Sequence, residues 1–343
     1  MAHEAQLKSA FKKGCNCYEF DSVFEEISPA LKDSDFAIGN LETTLPGKNF
    51  KPTGFPSFGS PDSFANSLKN AGLNLLVTAN NHCLDKGKSG LENTIRTLDN
   101  ENIYHTGTYG KTSEFKNTTS DFLILEKNNI RFAVLSYTQF VNAGSIPKGV
   151  EVKFINKKKI KKDIEAAKQS QPDFIIIYLH FGNEYERVPN DYQKEIVEFS
   201  FSQGADIVLG SHPHVLQKFE LRKKIHPGGR IQHNLVNYSL GNFISGQFYK
   251  HTIGGILFHF TLKKMVGRKG KKDLTIENIS YSPIWVYRDT GKNPESFHIL
   301  PIEKYLKNKG KYILNEKSKT EMNDFYRETV IHLGKFDLNK NIF

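Results

Sequence analysis

Residues 204–217 read GADIVLGSHPHVLQ. Five largely apolar residues, Ala205 to Leu209, run into Gly210, and two histidines then stand two positions apart around Pro213. A short unbroken apolar run without polar alternation is the pattern of a strand covered on both faces. In an extended segment residues i and i+2 point the same way, and proline fixes φ near about −65°. The spacing therefore predicts that His212 and His214 face one cavity at the tip of a buried strand.

The same unit recurs on either side of this stretch. DFAIGNLETTL occupies 35–45, and LNLLVTANNHCLDKG occupies 73–87, followed by the helical SGLENTIRTLDNEN. IRFAVLSYT (130–138) is another buried strand, and PDFIIIYLHFGNEYE (172–186) lies between the helical KKKIKKDIEAAKQS and DYQKEIVEFSFSQG. HNLVNYSLGNFISG follows at 233–246, and from about residue 253 the pattern turns antiparallel. Apolar runs alternating with helices predict an α/β protein with a layered sheet core. No internal repeat or low-complexity linker divides the chain. The expected organisation is one domain over 1–300 and a Lys-rich, helix-prone C-terminal appendage over 301–343.

The 343 residues carry a formal net charge of +10, which favours acidic partners without choosing among them. Part of the excess lies in NKKKIKKD (156–163) and part in KKMVGRKGKK (263–272). The second falls between the strand-like TIGGILFHFTL and LTIENISYSPIWVY, so it reads as a solvated hairpin tip. No helix-turn-helix, RNP-like or zinc-finger pattern accompanies it, and no nucleic-acid partner is expected. No apolar run approaches the roughly 20 residues of a membrane-spanning helix. The opening MAHEAQLKSAFKKG has no apolar signal core, so the sequence as written predicts a cytoplasmic protein. Cys15, Cys17 and Cys83 form no disulfide framework, and all three are expected to stay reduced.

Ligands of α/β sheets collect at the carboxyl ends of strands. The tips here deliver Asn40 and Glu42, then Asn80, Asn81 and His82 with Asp85 close behind, then His180 and Glu184, then His212 and His214, and last Asn242. A single Asn or His in such a place is ordinarily a turn former or a loop hydrogen-bonder. Their accumulation on successive tips, with no Lys or Arg among them, points to a metal-centred site. Imidazole and carboxylate suit manganese, iron or zinc, and the scarcity of thiolates argues against a structural cysteine-type zinc site.

The motifs GNLETTL, TANNHCLDKG, LHFGNEY, GSHPHVLQ and SLGNF together resemble the bacterial capsule-synthesis CapA family, also called the poly-γ-glutamate synthesis PgsA family. That family is similar to the calcineurin-like metallophosphoesterases. The resemblance runs from the first residues to about residue 290 and implies a four-layer α/β/β/α sandwich with a two-metal site at one sheet edge. By the resemblance Asn81, His180, His212 and His214 would ligate metal. His82 would assist the leaving group, with Asp85 orienting it. The place of the family's metal-bridging aspartate holds Asn40, which makes Glu42 the expected bridging carboxylate. His3, Asn40, Asn80, Glu184 and Asn242 would stand behind the ligands or face the substrate.

The family's first motif, an apolar strand ending in Gly-Asp, precedes a stretch that MAHEAQ resembles. The resemblance therefore implies a fold without its first strand, through a start at an internal methionine. An upstream signal or anchor would then place the protein at the cell envelope. The expected activity is metal-dependent hydrolysis of a phosphoester, or an amide, in an anionic small molecule or polymer. A non-catalytic assembly or polymer-handling role in surface-polymer machinery is the alternative.

Overall fold

The computed structural model describes residues 2–110, 121–225, 231–267, 270 and 272–334. A six-stranded mixed sheet forms one inner layer, in the order Leu216–Ile225, Ile231–Leu240, Ile207–Ser211, Phe174–His180, Ile130–Thr138 and Leu123–Lys127. Its four middle strands run parallel, and an antiparallel strand closes each side. Alternation along these strands divides the core. Ala133, Leu135, Tyr137, Ile175, Ile177, Leu179, Val208 and Val236 face outward onto helices Lys157–Gln169 and Asp191–Gln203. Phe132, Val134, Phe174, Ile176, Tyr178, Ile207, Leu209 and Leu235 face inward toward the second layer. The uninterrupted apolar runs in the sequence are the consequence of burial on both faces.

The second layer consists of two three-stranded sheets. Ile38–Asn40, Leu75–Val77 and Tyr104–Thr106 run parallel. Gly254–Val266, Lys272–Asp289 and Ser296–Pro301 run antiparallel. Helices Glu4–Ala10, Asp21–Phe24, Ser28–Lys32 and Ser63–Ala71 cover their outer side through Leu7, Phe24, Leu31, Phe64 and Leu68. The order is thus helix, sheet, sheet, helix, as the family resemblance implies. The long antiparallel pair at 254–289 is the expected hairpin; residues 268, 269 and 271 at its tip lie outside the described residues. The C-terminal helix Glu316–Leu333 buries Met322 and Phe325 in a cluster with Leu216, Ile256 and Trp285. No described helix is long and apolar enough to cross a membrane.

Strands Ile38–Asn40 and Gly254–Val266 each end their own sheet, and their free edges border the same cavity of about 790 Å³. Leu31, Phe64 and Leu68 form its helix-side wall, and Ile176, Tyr178 and Leu209 its floor. The cavity reaches the strand tips at Glu42, His212 and His214. None of the described strands lies between these two edges.

Local chemistry explains the element ends. Asn190 caps Asp191–Gln203 by accepting from Gln193 N–H, while the Gln193 side chain accepts from Asn190 N–H. This reciprocal cap satisfies two otherwise orphaned donors. Gly204 then takes φ 109° to stop the helix. Gly210 has a different reason, because a Cβ there would stand 2.0 Å from the Tyr238 carbonyl oxygen. One expectation fails near the N-terminus: Cys15 and Cys17 are joined by a disulfide, and only Cys83 is free among the described cysteines. The two Cα atoms are 5.2 Å apart, within disulfide reach, because the short antiparallel pair Phe11–Lys12 and Cys17–Tyr18 folds that turn back on itself.

Candidate metal centre

Three other strand tips converge on Glu42. Its Oε1 lies 3.5 Å from His180 Nε2 and 3.9 Å from His214 Nε2. Glu42, His212 and His214 each present a ligand atom within 4.8 Å of the others, and all three are buried. On the other side of Glu42, His180 Nε2 is 2.9 Å from Asn81 Oδ1. The result is two adjoining groups of donors, Asn81 with His180 and His212 with His214, that share one carboxylate.

The histidine pair converges by a route the strand argument did not anticipate. The strand ends at Ser211, and His212 and His214 have φ of 99° and 59°. Left-handed backbone is uncommon for a residue with a Cβ and occurs where surrounding structure enforces it. The turn is pinned here: Phe181 N–H donates to Ser211 O at 3.0 Å, and Tyr185 N–H to Pro213 O at 2.8 Å. The rings end with centroids 6.1 Å apart. Convergence comes from two left-handed residues rather than from strand alternation.

Each ring has a partner that sets its orientation. Asn242 Nδ2 donates to Gln247 Oε1 and to Thr252 O, which turns Asn242 Oδ1 toward His214 Nδ1 at 3.0 Å. His214 Nε2 is left facing Glu42. His180 Nδ1 is held by Ser211 Oγ at 2.9 Å. Asn80 Nδ2 donates to Leu41 O and Asn40 Oδ1, and Asn80 Oδ1 accepts from His82 N–H. Asn40 Nδ2 reaches Glu42 Oε2 at 3.2 Å and His180 Nδ1 at 3.4 Å. His82 Nδ1 lies 2.7 Å from Asp85 Oδ2, which also accepts from Phe58 N–H.

The remaining two predicted residues stand apart. His3 Nδ1 accepts from Gly246 N–H, and its ring lies edge-on to Phe58, so it clamps the N-terminal segment beside the site. Glu184 is exposed at the rim, where its charge helps raise the Glu42 pKa. Ser211, Asn142 and Gln247 also belong to the site, without a motif that marks them. Asn142 places Nδ2 3.3 Å from His82 Nδ1 and follows the Ile130–Thr138 strand, so the same search for polar residues after strands would have found it.

Burial dominates the electrostatics. It pushes the Glu42 carboxyl up to about 7, His214 down to about 3, His212 and His3 down to about 4, and His180 well below the usual histidine range. Neighbouring imidazoles add to the depression at His180, His212 and His214. Neutral imidazole is the form that ligates a metal. Glu42 Oε1 and His212 Nδ1 are buried without a hydrogen-bond partner. Such a buried unsatisfied atom costs roughly 1–3 kcal/mol, and a cation coordinated there would offset the cost. The donor set therefore fits divalent metal.

A family model described as "Bacterial capsule synthesis protein PGA_cap" matches residues 1–247, and the chain belongs to this family. It is 30% identical over 272 residues to the capsule biosynthesis protein CapA of Bacillus anthracis, covering 77% of this chain and 63% of that protein. It is 27% identical over 268 residues to the PGA biosynthesis protein CapA of Bacillus subtilis (strain 168), covering 77% and 67% respectively. The chain thus spans about two thirds of the length of these relatives. Among solved structures, a putative 5'-nucleotidase from Staphylococcus aureus aligns with a TM-score of 0.48 at 14% identity, over 95% of this chain and 56% of that one.

Proposed function

We propose that this member of the capsule-synthesis family is a metal-dependent hydrolase acting on an anionic substrate of surface-polymer synthesis. The observation that carries the reading is the orphaned Glu42 Oε1, buried between His180 Nε2 and His214 Nε2. Asn81, His180 and Glu42 would hold one divalent ion, and Glu42, His212 and His214 a second. Bound there, the metal pair would supply an activated water and neutralise charge on the attacked group.

The chain's own groups do the rest. His82 is the proton donor to the leaving group, and its Nδ1 contact with Asp85 leaves Nε2 for that task. Asn80 fixes the start of the His82 segment through the backbone N–H. Asn142 and Phe58 bound the ring, Phe58 from 4.7 Å edge-on. A phosphoester is the favoured target and an amide the second. The family description and the CapA relatives support a polymer of the capsule or poly-γ-glutamate type.

A non-catalytic, polymer-handling role has one specific observation in its favour. Asn40 spends its amide on Glu42, His180 and Asn80, so Glu42 is the one carboxylate shared by the two donor groups. An amide in place of a second shared carboxylate leaves a metal pair there with more net positive charge, a state suited to holding an anionic chain. Metal content by elemental analysis and turnover of bis(p-nitrophenyl) phosphate decide between the readings. Metal-dependent turnover that His212→Ala and His82→Ala each reduce at least 100-fold is expected. Stoichiometric metal without turnover would leave the polymer-handling role, and unchanged turnover in both variants would overturn the site.

A further inference from the structure

A second group of reactive atoms stands on the N-terminal hairpin, outside the strand tips. Cys15, Cys17 and Glu19 place two sulfurs and a carboxylate oxygen within 4.8 Å of one another, and the sulfurs are joined. Cys15 and Glu19 are exposed, and Cys17 is half-buried. Cys83 is free but buried, and burial pushes its thiol up to about 12, so it is inert. Thiol chemistry is therefore confined to the hairpin.

The bond is poorly placed to act as a staple. The entropy a disulfide removes from the unfolded chain grows with the loop it closes, and here Asn16 alone separates the two cysteines. The hairpin is also closed by other means. Phe11 pairs with Tyr18 and Lys12 with Cys17, and the Phe11 and Tyr18 rings lie 5.2 Å apart. Glu19 N–H donates to Ala10 O at 2.9 Å, and Ser63 Oγ donates to Tyr18 O at 2.9 Å. Asn16 holds φ 49°, a left-handed conformation that asparagine tolerates. Reduced thiols would thus stay side by side, ready to close again.

Access and charge set the direction of attack. A Cβ built on Gly14 would meet nothing within 4 Å, so the turn beside Cys15 stands in open space. Lys12 is the cross-strand partner of Cys17, and in such a pair the Cβ atoms are about 5 Å apart. Its ammonium therefore favours a thiolate leaving at Cys17, while the Glu19 carboxylate opposes it. Exposed disulfides are the exchangeable ones, whereas structural ones resist reduction.

We propose that Cys15–Cys17 is a thiol–disulfide exchange site whose substrate is an external thiolate of the glutathione class. The thiolate attacks Cys15 Sγ, the Cys15–Cys17 bond breaks, and Cys17 leaves as a thiolate that takes a proton from water. A second external thiolate then attacks the outer sulfur of the mixed disulfide, and Cys15 leaves in turn. Two thiols become one disulfide, and the protein pair takes up the two electrons. An external disulfide reverses both steps and restores the pair. The metal centre takes no part, so this inference and the hydrolytic reading fail separately.

Alkylation and peptide mass spectrometry of the full chain in reduced glutathione test it, with disulfide-bonded ribonuclease A in the same tube. The isolated protein should carry the bond, and glutathione should open it at least tenfold faster than the ribonuclease bonds. Lys12→Gln should slow the opening and Glu19→Gln should speed it. Cys17→Ser should hold glutathione as a mixed disulfide on Cys15, and Cys15→Ser should hold far less on Cys17, both with the parent's circular dichroism. Free thiols at both positions in protein isolated in air would overturn the proposal. So would opening no faster than the ribonuclease bonds, or equal glutathione uptake by the two serine variants. The measurement on the parent chain decides even where a variant fails to fold.

Discussion

His214 Nδ1 lies 3.0 Å from Asn242 Oδ1, and this contact decides which nitrogen of the ring confronts Glu42. The amide's own donors are committed to Gln247 and Thr252, so its oxygen has one orientation. Partners of this kind fix the tautomer of a ligating histidine, and their loss typically costs about 10–100-fold in metal affinity. Asn242→Ala is expected to weaken divalent metal binding by that factor while leaving the fold intact. Competition against a fluorescent chelator, with circular dichroism as the control, measures it.

Asp85 makes a different prediction. Its carboxylate holds both His82 Nδ1 and the Phe58 N–H, so truncation would also release the Phe58 loop. Asp85→Asn keeps the shape and changes the proton pattern at His82. Loss of a positioned general acid costs about 10²–10⁴-fold. Turnover should fall within that range while metal content stays at the parent's value. A parallel loss of metal would instead make Asp85 part of the metal centre.

Acid sensitivity follows from the buried histidines. His212 and His3 sit at about 4 and His214 at about 3, all depressed from the ordinary value of 6.5. Groups with depressed folded pKa values contribute stability above the unfolded pKa that is lost as pH falls through the folded one. Glu42 acts in the opposite sense: raised to about 7, it favours the folded state below 4.5 and loses that contribution as pH rises through 7. Between 6.5 and 4 these three histidines and His180, which burial holds well below the usual range, outweigh one carboxyl, so the unfolded chain binds more protons. Metal-free protein should lose stability steadily across that window, read as a falling urea midpoint. His214→Gln should flatten the slope.

Away from the site, Lys153 is buried with Asp163, 3.1 Å between Nζ and Oδ2, and Tyr137 donates its hydroxyl to the same carboxylate at 2.9 Å. Burial pulls the Lys153 pKa down to about 8 even against that partner. Lys153 also contacts the half-exposed Asp121 carboxylate, so removing Asp163 costs less than the about 3–5 kcal/mol of a broken isolated buried pair, but it also leaves the buried Tyr137 hydroxyl without its acceptor. Asp163→Ala should therefore lower the melting temperature by many degrees, whereas Lys317→Ala, paired on the exposed face of the C-terminal helix, should leave it unchanged.

What could be read from the sequence was whatever periodicity and position encode. The runs at 130–138, 174–180 and 207–211 are strands because apolar residues without alternation demand cover on both faces. Strand tips supply the polar inventory, and the family resemblance selects from it Glu42, Asn81, His180, His212 and His214, which the structure brings together. The left-handed turn at His212 and His214 was hidden, since neither residue type announces a positive φ and the hydrogen bonds that hold it come from the 181–185 loop. Gln247 and Ser211 were hidden for the same reason: their role exists only through tertiary neighbours. The Cys15–Cys17 disulfide has no signature in the number of cysteines; it depends on the tight turn that the antiparallel pair Phe11–Lys12 and Cys17–Tyr18 makes.

The cavity between Ile38–Asn40 and Gly254–Val266 has a mechanical meaning. Each three-stranded sheet is internally laced, and no ladder among the described strands joins one to the other, so the second layer is two plates meeting at a seam. Glu42 rides on the first plate, two residues past its edge strand. His214 is tethered through Asn242 to Gly254 at the margin of the second. The 3.9 Å between Glu42 and His214 therefore spans from the first plate to a turn that the 181–185 loop holds from the layer beneath, at the mouth of the seam.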